Sequence, residues 1–313
     1  MNLLWDLASS FWHYIDQRDR LLIVSLHRID QPQGLSAATV EKSLRFLAER
    51  YRFVLPNDLQ HKEIQGRVAM LTVDDGYMEV HSILYPMIQS LKICMTICVT
   101  TDFVLKNEWL WFDKLLWMLK QSDSARQIQS YTFPDGMHFS GDVPSLKQYL
   151  KTLQPDKRDK LIGSIARHCG LKVPTQPDVG FNPVKTADLV HMLKSGTVEL
   201  ASHTVTHPIL INLSDADLEF ELQHSKKELE NFTGRKVPSF CYPNGLPGDY
   251  DERTELAVIK AGYSMAFSSR EGMNYRESAD WNQLKRIHIH RKPHIFKRNT
   301  SGLAEILGRF KKE

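Results

Sequence analysis

Val68-Ala69-Met70-Leu71-Thr72-Val73-Asp74-Asp75-Gly76 is a short apolar run that stops abruptly at two carboxylates and a glycine. Its length and composition predict a strand over 68–73. Working outward, comparable runs lie at 21–26, 52–55, 93–99, 197–201, 239–242, 264–267 and 284–289. Helical segments with recognisable punctuation separate several of them. Over 214–234, Ser214 is placed to cap the first turn with Asp217 three residues on, Leu218, Leu222 and Leu229 share a face, and Gly234 marks the end. The segment 186–196 repeats the plan with Leu189, Met192 and Leu193 inside. Strand followed by helix, many times over, predicts parallel strands with helices outside, and the strand count is near that of a closed (β/α) barrel. An open doubly wound sheet is the alternative.

The alternation breaks over 104–185, which reads as an insertion between two barrel strands. Trp109, Trp111, Phe112 and Trp117 crowd a helical stretch there, and 131–139 reads as a hairpin around Pro134, Asp135 and Gly136. Two roles stay open for it: a lid or substrate-side wall, and a satellite core that keeps its aromatics buried. The 313 residues, 42% hydrophobic and 25% charged, fit one barrel-sized core or two smaller ones. The expectation is a single domain over 1–313, with a helical tail over 295–313.

Forty basic residues against 37 acidic ones give a net charge of +3, and the basic groups are scattered apart from 309–312, so nucleic-acid binding has little support. Cys94, Cys98, Cys169 and Cys241 lack C-x-x-C spacing and sit among apolar residues, which predicts buried free thiols. The chain start lacks the features of a secretory signal, and no apolar run is long enough to span a bilayer, which makes the cytoplasm the expected compartment. Leu3, Leu4, Leu7, Phe11, Trp12 and Ile15 nevertheless predict an amphipathic helix over 1–18. Its polar face carries no lysine or arginine, so packing on the fold is favoured over peripheral contact with the inner membrane.

Asp74 and Asp75 follow a strand, and in a barrel the C-terminal strand ends form the active-site rim. Adjacent residues point in different directions, so one carboxylate can bind a metal while its neighbour faces a water. Asp-Gly is also a common turn pair. After the strand at 197–201, His203 and His207 stand four residues apart, on one side of a helical turn, where they can share an ion such as zinc. With Asp75 they make a donor set of two nitrogens and one oxygen, which leaves positions open for water and substrate.

These residues carry a resemblance. Leu71-Thr72-Val73-Asp74-Asp75-Gly76-Tyr77 resembles the first motif of the polysaccharide deacetylases, the NodB-homology family or carbohydrate esterase family 4. Ser202-His203-Thr204-Val205-Thr206-His207-Pro208 resembles the second, and Phe240-Cys241-Tyr242-Pro243-Asn244-Gly245, reached through a helix with Glu219, Glu221, Ser225 and Lys226, resembles the third. The resemblance implies a distorted (β/α) barrel and one divalent ion, zinc first, on Asp75, His203 and His207. Asp74 is then the base that takes a proton from water, and the backbone N–H of Tyr242 helps to hold the oxyanion.

Three departures bear on these roles. The residues just before the third motif's tyrosine, Val237-Pro238-Ser239-Phe240-Cys241, include no arginine, and Arg286 is a candidate to order the base in its place. The family's late Leu-x-His is missing; Arg286-Ile287-His288-Ile289-His290 offers two histidines in another pattern. Val24-Ser25-Leu26-His27-Arg28-Ile29 instead resembles the opening of a permuted branch that includes enzymes acting on poly-N-acetylglucosamine, which favours His27 as the general acid over His288 and His290. The missing signal favours a nucleotide- or lipid-linked sugar, or an oligosaccharide before export. The implied activity is removal of N-acetyl groups from an amino-sugar glycan or its precursor. The alternatives are an O-acetyl esterase, a silent glycan-binding protein and a membrane-associated scaffold.

Overall fold

A computed structural model describes residues 18–31, 34–59, 63, 65–121, 130–132 and 138–302. The helix expected over 1–18, most of the tail beyond 302 and the tip of the 131–139 hairpin lie outside these residues. From the chain start run β1 (Arg20–Leu26), α1 (Ala37–Ala48), β2 (Arg52–Phe53), β3 (Arg67–Asp75), α2 (Tyr85–Leu91) and β4 (Met95–Val99). Then come α3 (Thr101–Lys106), α4 (Trp111–Lys120), the antiparallel pair β5 (Ser130–Thr132) and β6 (His138–Ser140), α5 (Val143–Lys151) and α6 (Pro155–His168). The chain resumes its alternation with α7 (Thr186–Lys194), β7 (Val198–Ser202), α8 (Asp215–Thr233), β8 (Ser239–Cys241), α9 (Glu252–Lys260) and β9 (Met265–Glu271). It ends with β10 (Asn274–Tyr275), β11 (Leu284–His288) and α10 (Pro293–Thr300).

β1 pairs in parallel with β3 on one side, from Arg20↔Arg67 to Leu26↔Val73, and with β11 on the other at Val24↔Ile287. The ring β1-β11-β9-β8-β7-β4-β3 therefore closes on itself: a parallel barrel of seven strands, not an open sheet. The eighth expected strand, 52–55, is not a stave. β2 has two residues that pair with Val68 and Ala69 at the lower part of one edge of β3, whose upper part from Thr72 to Asp75 belongs to β4. Pro56, which lacks an amide hydrogen, follows closely and ends the pairing.

Alternation along each strand sorts the core. Leu21, Ile23, Val68, Met70, Cys98 and Phe267 pack together inside the barrel, while Leu22, Val24, Leu71 and Val73 pack outward against the helices. Ser214 caps α8 by accepting the Asp217 N–H, and Gly234 closes it in the left-handed region at φ 66°, so its apolar face, Leu218, Leu222 and Leu229, is buried as its spacing predicts. Between β4 and β7, among the described residues, lie the five helices from α3 to α7 and the hairpin. Their Trp111, Phe112, Leu115, Leu146 and Ile162 join the same apolar cluster as the barrel's outer face. Cys98 and Cys241 are buried free thiols, whereas Cys94 and Cys169 are partly exposed. Among the described residues no helix is long and apolar enough to cross a membrane.

Candidate metal and catalytic site

The strand that opens the sequence reading ends at the barrel rim. Asp74 pairs with Cys98 in register and lies above the barrel interior. At Asp75 the backbone leaves strand geometry for the left-handed region, φ 67°, followed by Gly76 at φ 93°. A Cβ on Gly76 would sit 2.7 Å from Val104 Cγ2, so the turn admits only glycine. This break lets two adjacent carboxylates serve one site.

Asp74 Oδ1 is 2.7 Å from Arg286 Nη1. Arg286 is 1% exposed, and each guanidinium nitrogen is used: Nε donates to Ser268 O at 2.8 Å, Nη1 also reaches Thr72 Oγ1 at 3.3 Å, and Nη2 donates to Ser269 Oγ at 3.2 Å. Cys241 Sγ approaches the same Asp74 oxygen at 3.6 Å. Burial alone would raise the Asp74 pKa, but the Arg286 charge and hydrogen bond hold it well below the usual carboxylate range. Asp74, Cys98 and Cys241 also bring donor atoms within 4.8 Å of one another. A cation there would have to compete with Arg286.

Asp75, 1% exposed, is the hub of the second layer. Its Oδ2 is 2.5 Å from His27 Nε2. Its Oδ1 is 3.5 Å from Nε2 of both His203 and His207 and, though buried, has no hydrogen-bond partner among the described residues. His203 Nδ1 donates to Cys241 O at 2.7 Å, which turns its Nε2 lone pair toward Asp75. The ligand atoms of Asp75, His203 and His207 all lie within 4.8 Å of one another. The four-residue spacing predicts a helical turn that brings the two histidines together. They converge instead from a loop in which Thr204 (φ 70°) and His207 (φ 57°) are left-handed, a strain of order 1–3 kcal/mol each. Glu221 of α8 braces that loop, its Oε2 accepting the Val205 N–H at 2.7 Å and the Thr206 N–H at 3.1 Å.

The charges fit a cation. Burial opposes ionisation of Asp75, yet its histidine neighbours, His27 foremost, hold its pKa at about 2. Burial pushes His207 down to about 3, which leaves a neutral ring. Burial also works on His203, but Cys241, Asp74 and Asp75 raise it to about 9, so its proton must leave before an ion binds. A bare buried carboxylate oxygen between two imidazole nitrogens is a donor set for a divalent ion with room for further ligands.

His27 stands at the end of β1 with its side chain 50% exposed, its ring edge-on to Tyr77 at 5.4 Å. Burial lowers its pKa, but Asp75 more than compensates, and the net shift is upward. The other two candidate histidines differ. His288 Nδ1 is 2.6 Å from Ser25 Oγ, and desolvation with the Arg286 charge takes its pKa down to about 4. His290 lies past the end of β11 and accepts the Lys292 N–H. Tyr242 requires a correction. Its N–H donates to Phe267 O at 3.0 Å as part of the β8 to β9 ladder, so it is not free for an oxyanion, and its hydroxyl donates to Asn282 O at 2.9 Å.

The insertion reaches the site through contacts that no short motif announces. Trp111 Nε1 donates to His207 O at 3.2 Å, and the Phe112 ring is 5.1 Å from that of His207. Buried Asp113 accepts the Tyr77 hydroxyl at 2.7 Å, and the guanidinium of Arg28, bonded to Glu79, lies 3.7 Å from the Tyr77 ring centroid. The clue to Asp113 in the sequence is a carboxylate set directly after Trp111 and Phe112.

The chain's fold matches a Streptococcus pyogenes deacetylase, PplD, solved in complex with acetate (TM-score 0.59, 16% identity, 88% of this chain and 94% of that one). It also matches IcaB from Ammonifex degensii (0.59, 16%, 90% and 98%) and the deacetylase domain of BpsB from Bordetella bronchiseptica (0.52, 14%, 86% and 96%). A search of curated protein sequences found no match. The profile of the family described as polysaccharide deacetylase matches residues 61–266. That stretch holds both carboxylates, both clustered histidines and more than half of the sequence, and the chain belongs to the polysaccharide deacetylase family.

Proposed function

We propose that this chain is a divalent-metal-dependent hydrolase that removes N-acetyl groups from an amino-sugar-containing glycan or glycan precursor. The observation that carries the reading is the bare Asp75 Oδ1 facing two imidazole nitrogens, one residue from a carboxylate held ionised by Arg286. Asp75, His203 and His207 would hold the ion, and the nitrogen-rich donor set suits zinc. Such an ion, when bound, lowers the pKa of a water and polarises the acetyl carbonyl.

The protein side of the reaction follows from the contacts. Arg286 and Cys241 both engage Asp74 Oδ1, which leaves Oδ2 to take the proton of the attacking water. His27, half exposed and with its pKa raised by Asp75, is placed to hand a proton to the departing amine. His288, whose pKa lies far lower, is poorly suited to that task. The structural neighbours, which include deacetylases and one solved with acetate bound, support the same reaction.

Acetate release from N-acetylhexosamine oligomers is the test, measured before chelation, after it and after zinc is restored. Release should stop and return, and His203→Ala should lose both bound metal and turnover. Release that survives chelation would overturn the reading. Matched O-acetylated oligomers run in parallel separate amide from ester hydrolysis.

A further inference from the structure

A cavity of about 210 Å³ opens on the insertion side of the site. His27, which bonds Asp75, forms one border, and Phe112, whose ring abuts His207, forms another. Its volume is below the roughly 300–1,000 Å³ of pockets for drug-sized ligands and suits a single sugar unit. Phe112, Leu116, Leu119 and Phe181 give it apolar walls of the kind that pack against the C–H face of a pyranose ring.

Two ammonium groups belong to the same lining. Lys147 Nζ is 5.2 Å from the Phe112 ring centroid and Lys120 Nζ 4.3 Å from that of Phe181. Neither has a carboxylate at ion-pair distance among the described residues. Arg28, also in the lining, is by contrast committed to Glu79. The one carboxylate in the lining, Asp113, is buried and accepts the Tyr77 hydroxyl, and burial pushes its pKa up to about 6. Desolvation, with the nearby Lys151 charge, pulls the Lys147 pKa down against the opposing attraction of Asp113 and Asp75. Aromatic rings in place of carboxylates hold these two charges, which leaves them available to a ligand.

We infer that this cavity is the subsite for the sugar unit next to the one being deacetylated, and that it selects a unit carrying an anionic group, phosphate or carboxylate, through Lys120 and Lys147. The inference rests on the deacetylase reading of the adjoining site. It is tested by calorimetry on the full chain with three probes: di-N-acetylchitobiose, its 1-phosphate, and N-acetylglucosamine linked to glucuronate.

At low salt at least one charged probe should bind about tenfold more tightly than the neutral one, and the advantage should shrink as salt screens it. In the double variant Lys120→Gln/Lys147→Gln the ratio should fall to near one. A preference for the phosphate or for the glucuronate alone identifies the anionic group. Equal binding of all three probes, or a preference that survives in the double variant, overturns the subsite. The charge preference without acetate release from any probe overturns the deacetylase reading and leaves the anion selectivity standing.

Discussion

Asp74 and Asp75 are neighbours in the chain, yet they belong to layers of opposite physical character. Around Asp74, inside the barrel, the charges are matched: a guanidinium with every nitrogen bonded lies against a carboxylate. Around Asp75, on the rim, backbone strain at residues 75, 204 and 207 surrounds a buried carboxylate oxygen with no donor among the described residues. The lower layer is complete as it stands and fixes the position of one oxygen. The upper layer carries unfavourable geometry and an unfilled acceptor, which is how a preorganised binding site differs from a structural ion pair.

Substitutions in the two layers should therefore separate. The largest effect is expected for Asp74→Asn, which removes the proton acceptor while keeping its shape. Turnover should fall by about 10²–10⁴, with bound metal unchanged by elemental analysis; metal lost along with turnover would merge the two layers. Next comes Arg286→Met, which leaves a carboxylate without its partner. Chemical denaturation should show a loss of about 3–5 kcal/mol, while metal stoichiometry holds. Last is Trp111→Phe in the insertion, which deletes the hydrogen bond to His207 O and trims a buried ring. A loss of about 1 kcal/mol, or about fivefold in metal Kd, is expected by competition with a chelating dye. An unchanged Kd would reduce the insertion to a packing element.

The parts of the molecule legible in the sequence are those encoded over short distances. Apolar runs marked all seven staves, and Ser214 with Gly234 marked the ends of their helix. The run at 52–55 does form a strand, but only over Arg52–Phe53 and outside the ring, because its partner edge on β3 is shared with β4. The carboxylate pair and the histidine pair stood out as motifs, but the loop that joins the histidines is set by Glu221 and by left-handed backbone, neither of which periodicity reveals. Contacts across long separations were harder still. Arg286 was nameable as a partner for Asp74, whereas the bonds from Asp113 to Tyr77 and from Trp111 to His207 depend on how the insertion folds back. Tyr242 shows the opposite error: a motif position was legible, but the ladder bond that occupies its N–H was not.

The pairing of β1 with both β3 and β11 also governs how the molecule is made. One edge of β1 finds β3 early in synthesis, but its other edge waits for residues 284–288. At ordinary ribosomal speeds that interval is roughly 10–50 s, during which the edge of a largely apolar strand stays open to wrong partners. Nascent chains stalled before residue 284 should therefore depend on chaperones more than chains released complete, a vulnerability set by where the ring happens to close.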